Sequence, residues 1–223
     1  MDAIRDLGEY YRALGAAYDY RYGISLGRLS DEAALARICR TQLAALDVLE
    51  IACGTGRWTA SLCGHASSVV ATDVNDGMLA VARERNKDAA NVSFVRANAF
   101  ELPTFDRLFT GAFAGWWFSH IPRQGLGLFL THLHAALCRD AVVVFTDDTP
   151  AVQDHLSAPD EFGNTYATRR TPSGRCFRIL KNFYSEENLR AAVDNTATDV
   201  DYFEGDYHWA LRYRVTTRRC VDS

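Results

Sequence analysis

The sequence predicts an α/β fold: a doubly wound, mostly parallel sheet of seven strands, with helices on both faces and a closing antiparallel hairpin. Three observations predict it. From Asp47 to Asp147, short apolar strands alternate with helical stretches. Several of those strands, "AVVVFTD" among them, are almost wholly apolar, so both of their faces are covered, as in parallel sheets. The tail then breaks the rhythm: "DVDYF" and "YHWALRYRV" flank a turn at Glu204-Gly205-Asp206 and read as a hairpin.

The bulk numbers suit one compact unit. A chain of 223 residues can bury a sizeable core. Its 48% apolar and 23% charged content is that of a globular protein. A net charge of -4 speaks against a nucleic-acid partner held by bulk electrostatics. No apolar run approaches the roughly 20 residues of a membrane span, and "MDAIRDLGEYYRALG" lacks the apolar core of a signal peptide. The expected location is the cytoplasm. Cys39, Cys53, Cys63, Cys138, Cys176 and Cys220 form no C-x-x-C pair and no zinc-finger spacing, so they read as small apolar thiols, with no metal site. Only Lys87 and Lys181 are lysines among the 24 basic residues, which we read as base composition.

Residues 3–22 read as an aromatic-rich helix. "LSDEAALARICRTQLAAL" is a second, with Ser30 as N-cap and Asp31 and Glu32 in the first turn, where the helix dipole favours acids. "DVLEIA" is the first strand, and a glycine turn leads into a helix from Trp58 to Cys63. "SVVATDV" is the second strand, and Asp76 caps the helix "GMLAVARERNKD". "VSFVRAN" and "RLFTGAFAG" are the third and fourth strands, "RQGLGLFLTHLHAALC" a helix, and "AVVVFTD" the fifth strand. Pro172-Ser173-Gly174 divides two alternating runs into a β-hairpin inserted at about 163–181. Ser185 caps the helix "SEENLRAAVDN", and the closing hairpin follows. On this reading residues 1–44 are a helical lid over a ligand-binding domain of residues 45–223, in one compact unit.

Three sites after successive strands point to one ligand. In "VLEIACGTGRWT", Gly54 and Gly56 let the backbone come close to a ligand, and the next helix offers free N–H groups. Glu50, just before the turn, is an awkward neighbour for a pyrophosphate and a good one for an ammonium. Asp73 ends the second strand, where an acid accepts hydrogen bonds from ribose hydroxyls. Asn98, after the third strand, both donates and accepts and can read an adenine edge, with Ala99 and Phe100 supplying backbone groups and an apolar wall. Met78 can cover the other adenine face. Adenine, a ribose diol, an ammonium and a carboxylate without phosphate describe S-adenosylmethionine (SAM). An NAD-linked dehydrogenase is disfavoured by Glu50 and by the missing third glycine.

"VLEIACGTGRWT", "ATDVNDGML", "FVRANAFELP" and "FAGWWFSHIP" resemble successive motifs of the class I SAM-dependent methyltransferases, over about residues 45–147. The second half resembles a bacterial small-molecule branch of that family. The resemblance implies a Rossmann-like fold and a cofactor site of Tyr18, Glu50, Ala52, Gly54, Gly56, Asp73, Val74, Met78, Asn98, Ala99, Phe100 and Gly115. Ala52 stands where the family often has Gly, and Asn98 where it often has an acid.

The expected function is transfer of the sulfonium methyl to an O, N or S nucleophile of a small metabolite, leaving S-adenosylhomocysteine. The acceptor belongs beyond the carboxyl ends of the strands. His120 is the base candidate, since its ordinary pKa lies near neutrality, with packing of the loop as its structural alternative. Asp147 is the second catalytic candidate. Asp148 could hold an acceptor amine or hydroxyl. Trp58, Trp116, Trp117 and Tyr22 are candidates for the acceptor pocket, as aromatics line apolar sites and attract cations. His132 and His134, at i and i+2 on a helix, face apart and are a poor metal pair. Arg169, Arg170, Arg175 and Arg178 could clamp an anionic acceptor but read more readily as a solvated hairpin face or a dimer contact, and the exposed hairpin edge could pair with a second copy. The alternative function is SAM binding without transfer, as a sensor or partner subunit.

Overall fold

The computed structural model describes residues 2–14, 26–152 and 155–216. Its main sheet has seven strands: β1 (Asp47–Glu50), β2 (Ser68–Asp73), β3 (Val92–Arg96), β4 (Phe109–Gly115), β5 (Leu137–Asp148), β8 (Ala197–Glu204) and β9 (His208–Val215). A separate two-stranded sheet holds β6 (Tyr166–Arg170) and β7 (Cys176–Leu180). The main order is β3-β2-β1-β4-β5-β9-β8. The first five strands are parallel, and β9 runs antiparallel between β5 and β8. The expected Rossmann-like architecture is therefore the observed one. The chain order reverses beside β1, and in open α/β sheets ligands bind at such a switch point, outside the carboxyl ends of the strands.

The apolar strands bury their side chains on both faces. On one face Leu49, Ala112, Val143 and Leu211 meet Phe118, Phe129 and Leu133. On the other, Val48, Val69, Ala71 and Val142 meet Cys39, Leu43, Leu62 and Leu79 from the covering helices. A third cluster joins Leu7, Tyr10 and Leu14 of helix α1 (Asp2–Leu14) to Ala167, Phe177 and Ile179 of the inserted hairpin. Helix α1 thus packs on the inserted hairpin.

Several expected boundaries move. Helix α2 spans Leu26–Gln42, so Ser30 lies inside it and does not cap it. Asp31 is instead free to bind at long range, and its Oδ2 accepts the main-chain N–H groups of Tyr207 (2.7 Å) and His208 (3.1 Å). The remainder of the expected first helix, beyond Leu14, includes residues outside the described ones. Helix α3 covers Arg57–Leu62, and α4 covers Asp76–Arg85. Asn75, not Asp76, caps α4, accepting from the N–H groups of Gly77 and Met78. Helix α5 is Leu126–Ala135, and Ser185 caps α6 (Glu186–Val193) by accepting from Asn188 N. Of the cysteines, Cys39 and Cys53 are buried, but Cys176 is exposed; Cys220 lies outside the described residues.

Candidate functional site

The turn after β1 needs an unusual backbone. Ala52, Gly54 and Gly56 all have positive φ, of 53°, 55° and 72°. Gly56 is further constrained by space: a Cβ there would come within 2.6 Å of Asn86 Nδ2 and 3.0 Å of Ala82 Cα. Asn86 Nδ2 donates to Gly56 O at 3.1 Å, fixing α4 against the turn. The turn is also tied to β2, because Gly54 N donates to Asp73 Oδ2 at 2.9 Å. Asp73 Oδ1 accepts from Asn75 N at 2.8 Å. Burial raises the Asp73 pKa above the ordinary carboxylate range, against the pull of these hydrogen bonds.

A cavity of about 180 Å³ opens over these strand ends. Ala52, Gly54, Asp73, Val74 and Met78 line one part of it, with Asn98 and Ala99 from the segment after β3. Asn98 Oδ1 is occupied by Phe100 N at 3.1 Å. Gly115, at the end of β4, leads to a second part lined by Trp58, Trp116, Trp117 and His120. Gly115 is small by necessity, since a Cβ would lie 2.8 Å from Trp58 Cδ1. Trp116 has φ 53°, and its ring stands 5.3 Å from that of Trp58. Arg57 lies over Trp116 at 5.7 Å and pairs with Glu32 of α2. The indole nitrogens of Trp58 and Trp117 are buried without a hydrogen-bond partner among the described residues.

Some expected site residues are placed elsewhere. Glu50 is 1% exposed and lies outside the cavity wall, where it accepts from Thr59 Oγ1 at 2.6 Å. Burial pushes its carboxyl up to about 8; the Thr59 hydrogen bond opposes this and the Asp73 charge adds to it. Glu50 therefore braces the turn from beneath, and the expected direct pairing with an ammonium does not follow from its position. Gly56 and Phe100 also stay off the wall: Gly56 packs on α4, and Phe100 packs against Trp117 and Phe129. Tyr18 and Tyr22 lie outside the described residues.

Asp147 and Asp148 depart most from expectation. Both are buried, at 1% and 4% exposure, and neither lines the cavity. Asp147 Oδ2 accepts from Ser119 N at 2.7 Å, and Oδ1 sits 3.2 Å from Lys181 Nζ. Asp148 Oδ2 lies 2.8 Å from Lys181 Nζ, while Oδ1 accepts from Trp116 Nε1 at 3.0 Å. Lys181 Nζ also donates to Ser119 Oγ at 3.0 Å. Asp147 thus holds the turn that carries His120, and Asp148 holds Trp116. Burial alone would raise the Asp148 pKa; Lys181 and then His208 outweigh it and hold the carboxyl below its usual range.

His120 does reach the cavity, but its ring is already engaged. Nδ1 lies 2.6 Å from Leu180 O and so carries the proton; Nε2 then accepts from Tyr11 Oη at 3.0 Å. Burial, reinforced by the Lys181 charge, pushes its pKa down to about 4. The imidazole is neutral at pH 7, with Tyr11 of α1 closed over its lone pair. His134 is a core residue, with Nε2 2.7 Å from Tyr213 Oη.

Lys181, Asn75 and His208 belong to this constellation without having been site candidates, and Tyr11, an aromatic of the first helix, joins them. Lys181 had a signal: it is one of two lysines in an arginine-rich chain. Three partners crowd its ammonium, where a planar guanidinium would not fit the same space. His208 had none, because its contacts with Asp31 and Asp148 span 177 and 60 positions of chain.

A family described as "Methyltransferase domain" matches residues 48–140. The demethylmenaquinone methyltransferase of Clavibacter sepedonicus is 34% identical over 107 residues, covering 47% of this chain and 42% of that protein. The ubiquinone/menaquinone biosynthesis C-methyltransferase UbiE of Ectopseudomonas mendocina (strain ymp) is 48% identical over 68 residues, 28% of this chain and 27% of its own. The chain spans about a third of the length of the curated relatives it matches. Among solved structures, DhpI in complex with SAH aligns with a TM-score of 0.76 and 28% identity, over 97% of this chain and 98% of that one. The PH0226 protein from Pyrococcus horikoshii OT3, 19% identical over 93% of this chain and 99% of its own at TM-score 0.71, shares the fold.

Proposed function

We propose that the chain, which belongs to the class I SAM-dependent methyltransferases, moves the sulfonium methyl of SAM to an O, N or S nucleophile of a small molecule. One observation carries this reading. A single cavity joins the turn after β1, Asp73 and Asn98 to an aromatic chamber at the end of β4. A cofactor and an acceptor then share one enclosure, as an in-line displacement needs.

Bound SAM supplies an electrophilic methyl group on a sulfonium. The chain's own residues do the rest. Asp73 would receive the ribose hydroxyls on lone pairs left beside Gly54 N and Asn75 N, Asn98 would meet the adenine edge, and Met78 and Val74 would give its ring apolar walls. The faces of Trp58, Trp116 and Trp117 hold the acceptor and keep water from the reacting atoms. The relatives' names, which include quinone-pathway methyltransferases, and the complex of DhpI with SAM and HEP favour a small-molecule acceptor.

Calorimetry with SAM, its demethylated product and NAD tests the cofactor, and product formation from labelled SAM across a metabolite library tests the transfer. Micromolar SAM binding with methylated product is expected. Tight NAD binding without SAM binding overturns the reading.

A further inference from the structure

His208 opens β9 and stands on the cavity wall beside Trp116, with the two rings 5.6 Å apart. It is 3% exposed, and neither ring nitrogen has a hydrogen-bond partner among the described residues. Nδ1 lies 3.1 Å from Asp148 Oδ1, within reach of the charge but off the line of a hydrogen bond. Buried polar groups in folded proteins are almost always paired, and an unpaired one is costly. A ring in this condition on a cavity wall is waiting for a partner that enters the cavity. His120 differs, since Leu180 and Tyr11 already take both of its nitrogens.

The surroundings orient the ring. Asp31 of α2 accepts the main-chain N–H of His208, fixing the start of β9. Asp148 is fixed in turn by Lys181, the residue after β7, and by Trp116 Nε1. Asp148 faces the imidazole, with Lys181 behind it, Asp31 on the main chain of His208, and Arg28, Glu32 and Arg57 on the same cavity wall. A carboxylate facing Nδ1 keeps the proton there and leaves the lone pair on Nε2.

We propose that His208 Nε2 receives the proton of the acceptor's nucleophile, with Asp148 as its positioning residue, and that the acceptor therefore carries a reacting O–H, N–H or S–H. This rests on the methyltransferase reading above. The nucleophile's lone pair forms the new bond to the methyl carbon. The C–S bond breaks with its electron pair left on sulfur, so the sulfonium becomes a neutral thioether. The proton of the nucleophile passes to Nε2, and the imidazolium is balanced by the Asp148 carboxylate.

Sinefungin, which carries an amine in place of the transferred methyl, probes this without knowledge of the acceptor. Side-chain ¹⁵N NMR of the full chain is recorded in its SAH and sinefungin complexes. The His208 signals are assigned through contact with Trp116 and by their loss in His208→Gln. The neutral ring is expected as the Nδ1–H tautomer with SAH. With sinefungin its ring ¹⁵N signals should shift, as the amine donates to the Nε2 lone pair. His134 should not change. An Nε2–H tautomer, or a His208 indistinguishable in the two complexes, overturns the proposal. Failure of the chain to bind SAM, SAH and sinefungin alike would instead sink the methyltransferase reading.

Discussion

Gly54 N donates to Asp73 Oδ2 at 2.9 Å, so the turn after β1 and the end of β2 form one rigid edge of the cavity. If Asp73 also receives the ribose hydroxyls, its removal strikes twice. Asp73→Ala should weaken SAM binding by about 1–3 kcal/mol, roughly 5- to 150-fold, through lost charge-assisted hydrogen bonds. It should also lower the stability of the free protein, because the N–H groups of Gly54 and Asn75 lose their acceptor. Calorimetry and thermal unfolding separate the two effects. Unchanged affinity in the folded variant would refute the ribose role.

The backbone of the same turn predicts opposite outcomes for two substitutions. Gly56 has φ 72° and no room for a Cβ. Gly56→Ala should cost about 3 kcal/mol, combining left-handed strain with overpacking against α4. Ala52 already bears such strain at φ 53°. Ala52→Gly relieves about 1–2 kcal/mol of it and returns part through the freer unfolded chain, so stability should rise by about 0.5 kcal/mol. Denaturant titration of both variants checks the pair.

What was legible in the sequence follows chain locality. The turn, Asp73 and Asn98 each sit at the end of an apolar strand, and strand order alone brings them to one edge. The placement of Glu50 was not legible, because only packing shows that its carboxylate turns to Thr59 and away from the cavity. Asp147 and Asp148 end an apolar strand, a position that suits a catalytic acid or a hold on an acceptor amine or hydroxyl. Their partner Lys181 is 34 and 33 positions away, on an insertion whose docking no local pattern reports. The same distance in sequence hid His208. An acid at a strand end is equally suited to hold a ligand or an internal cation, and the deciding partner comes from elsewhere in the fold.

Lys181 gives the largest expected loss. Its ammonium is buried and is shared between two buried carboxylates, Asp147 and Asp148. Lys181→Met leaves both acids buried without a counter-charge, which should cost about 3–5 kcal/mol. Lys181→Arg should fail to restore the wild-type melting temperature, since the fork is too broad for a site built on Ser119, Asp147 and Asp148. Full stability in either variant would show that the acids find other partners.

Glu50 predicts a pH dependence with a definite sign. Its folded pKa, about 8, lies above that of an ordinary glutamate. Between these values the folded chain holds a proton that the unfolded chain releases, so stability falls as pH rises through the window. The histidines act oppositely at its acid end: His120 and His134 are pushed down to about 4, so they withdraw stability as pH falls below the ordinary histidine range. The Glu50 effect is therefore clearest between about pH 6.5 and 8. There Glu50→Gln should flatten the decline in melting temperature and raise it at pH 8. A cationic ligand bound above the turn favours the carboxylate, so SAM binding at pH 7 should release part of a proton. Calorimetry in buffers of different ionisation enthalpy measures that release, and Glu50→Gln should abolish it. Equal release in wild type and variant would place the linked proton on another group.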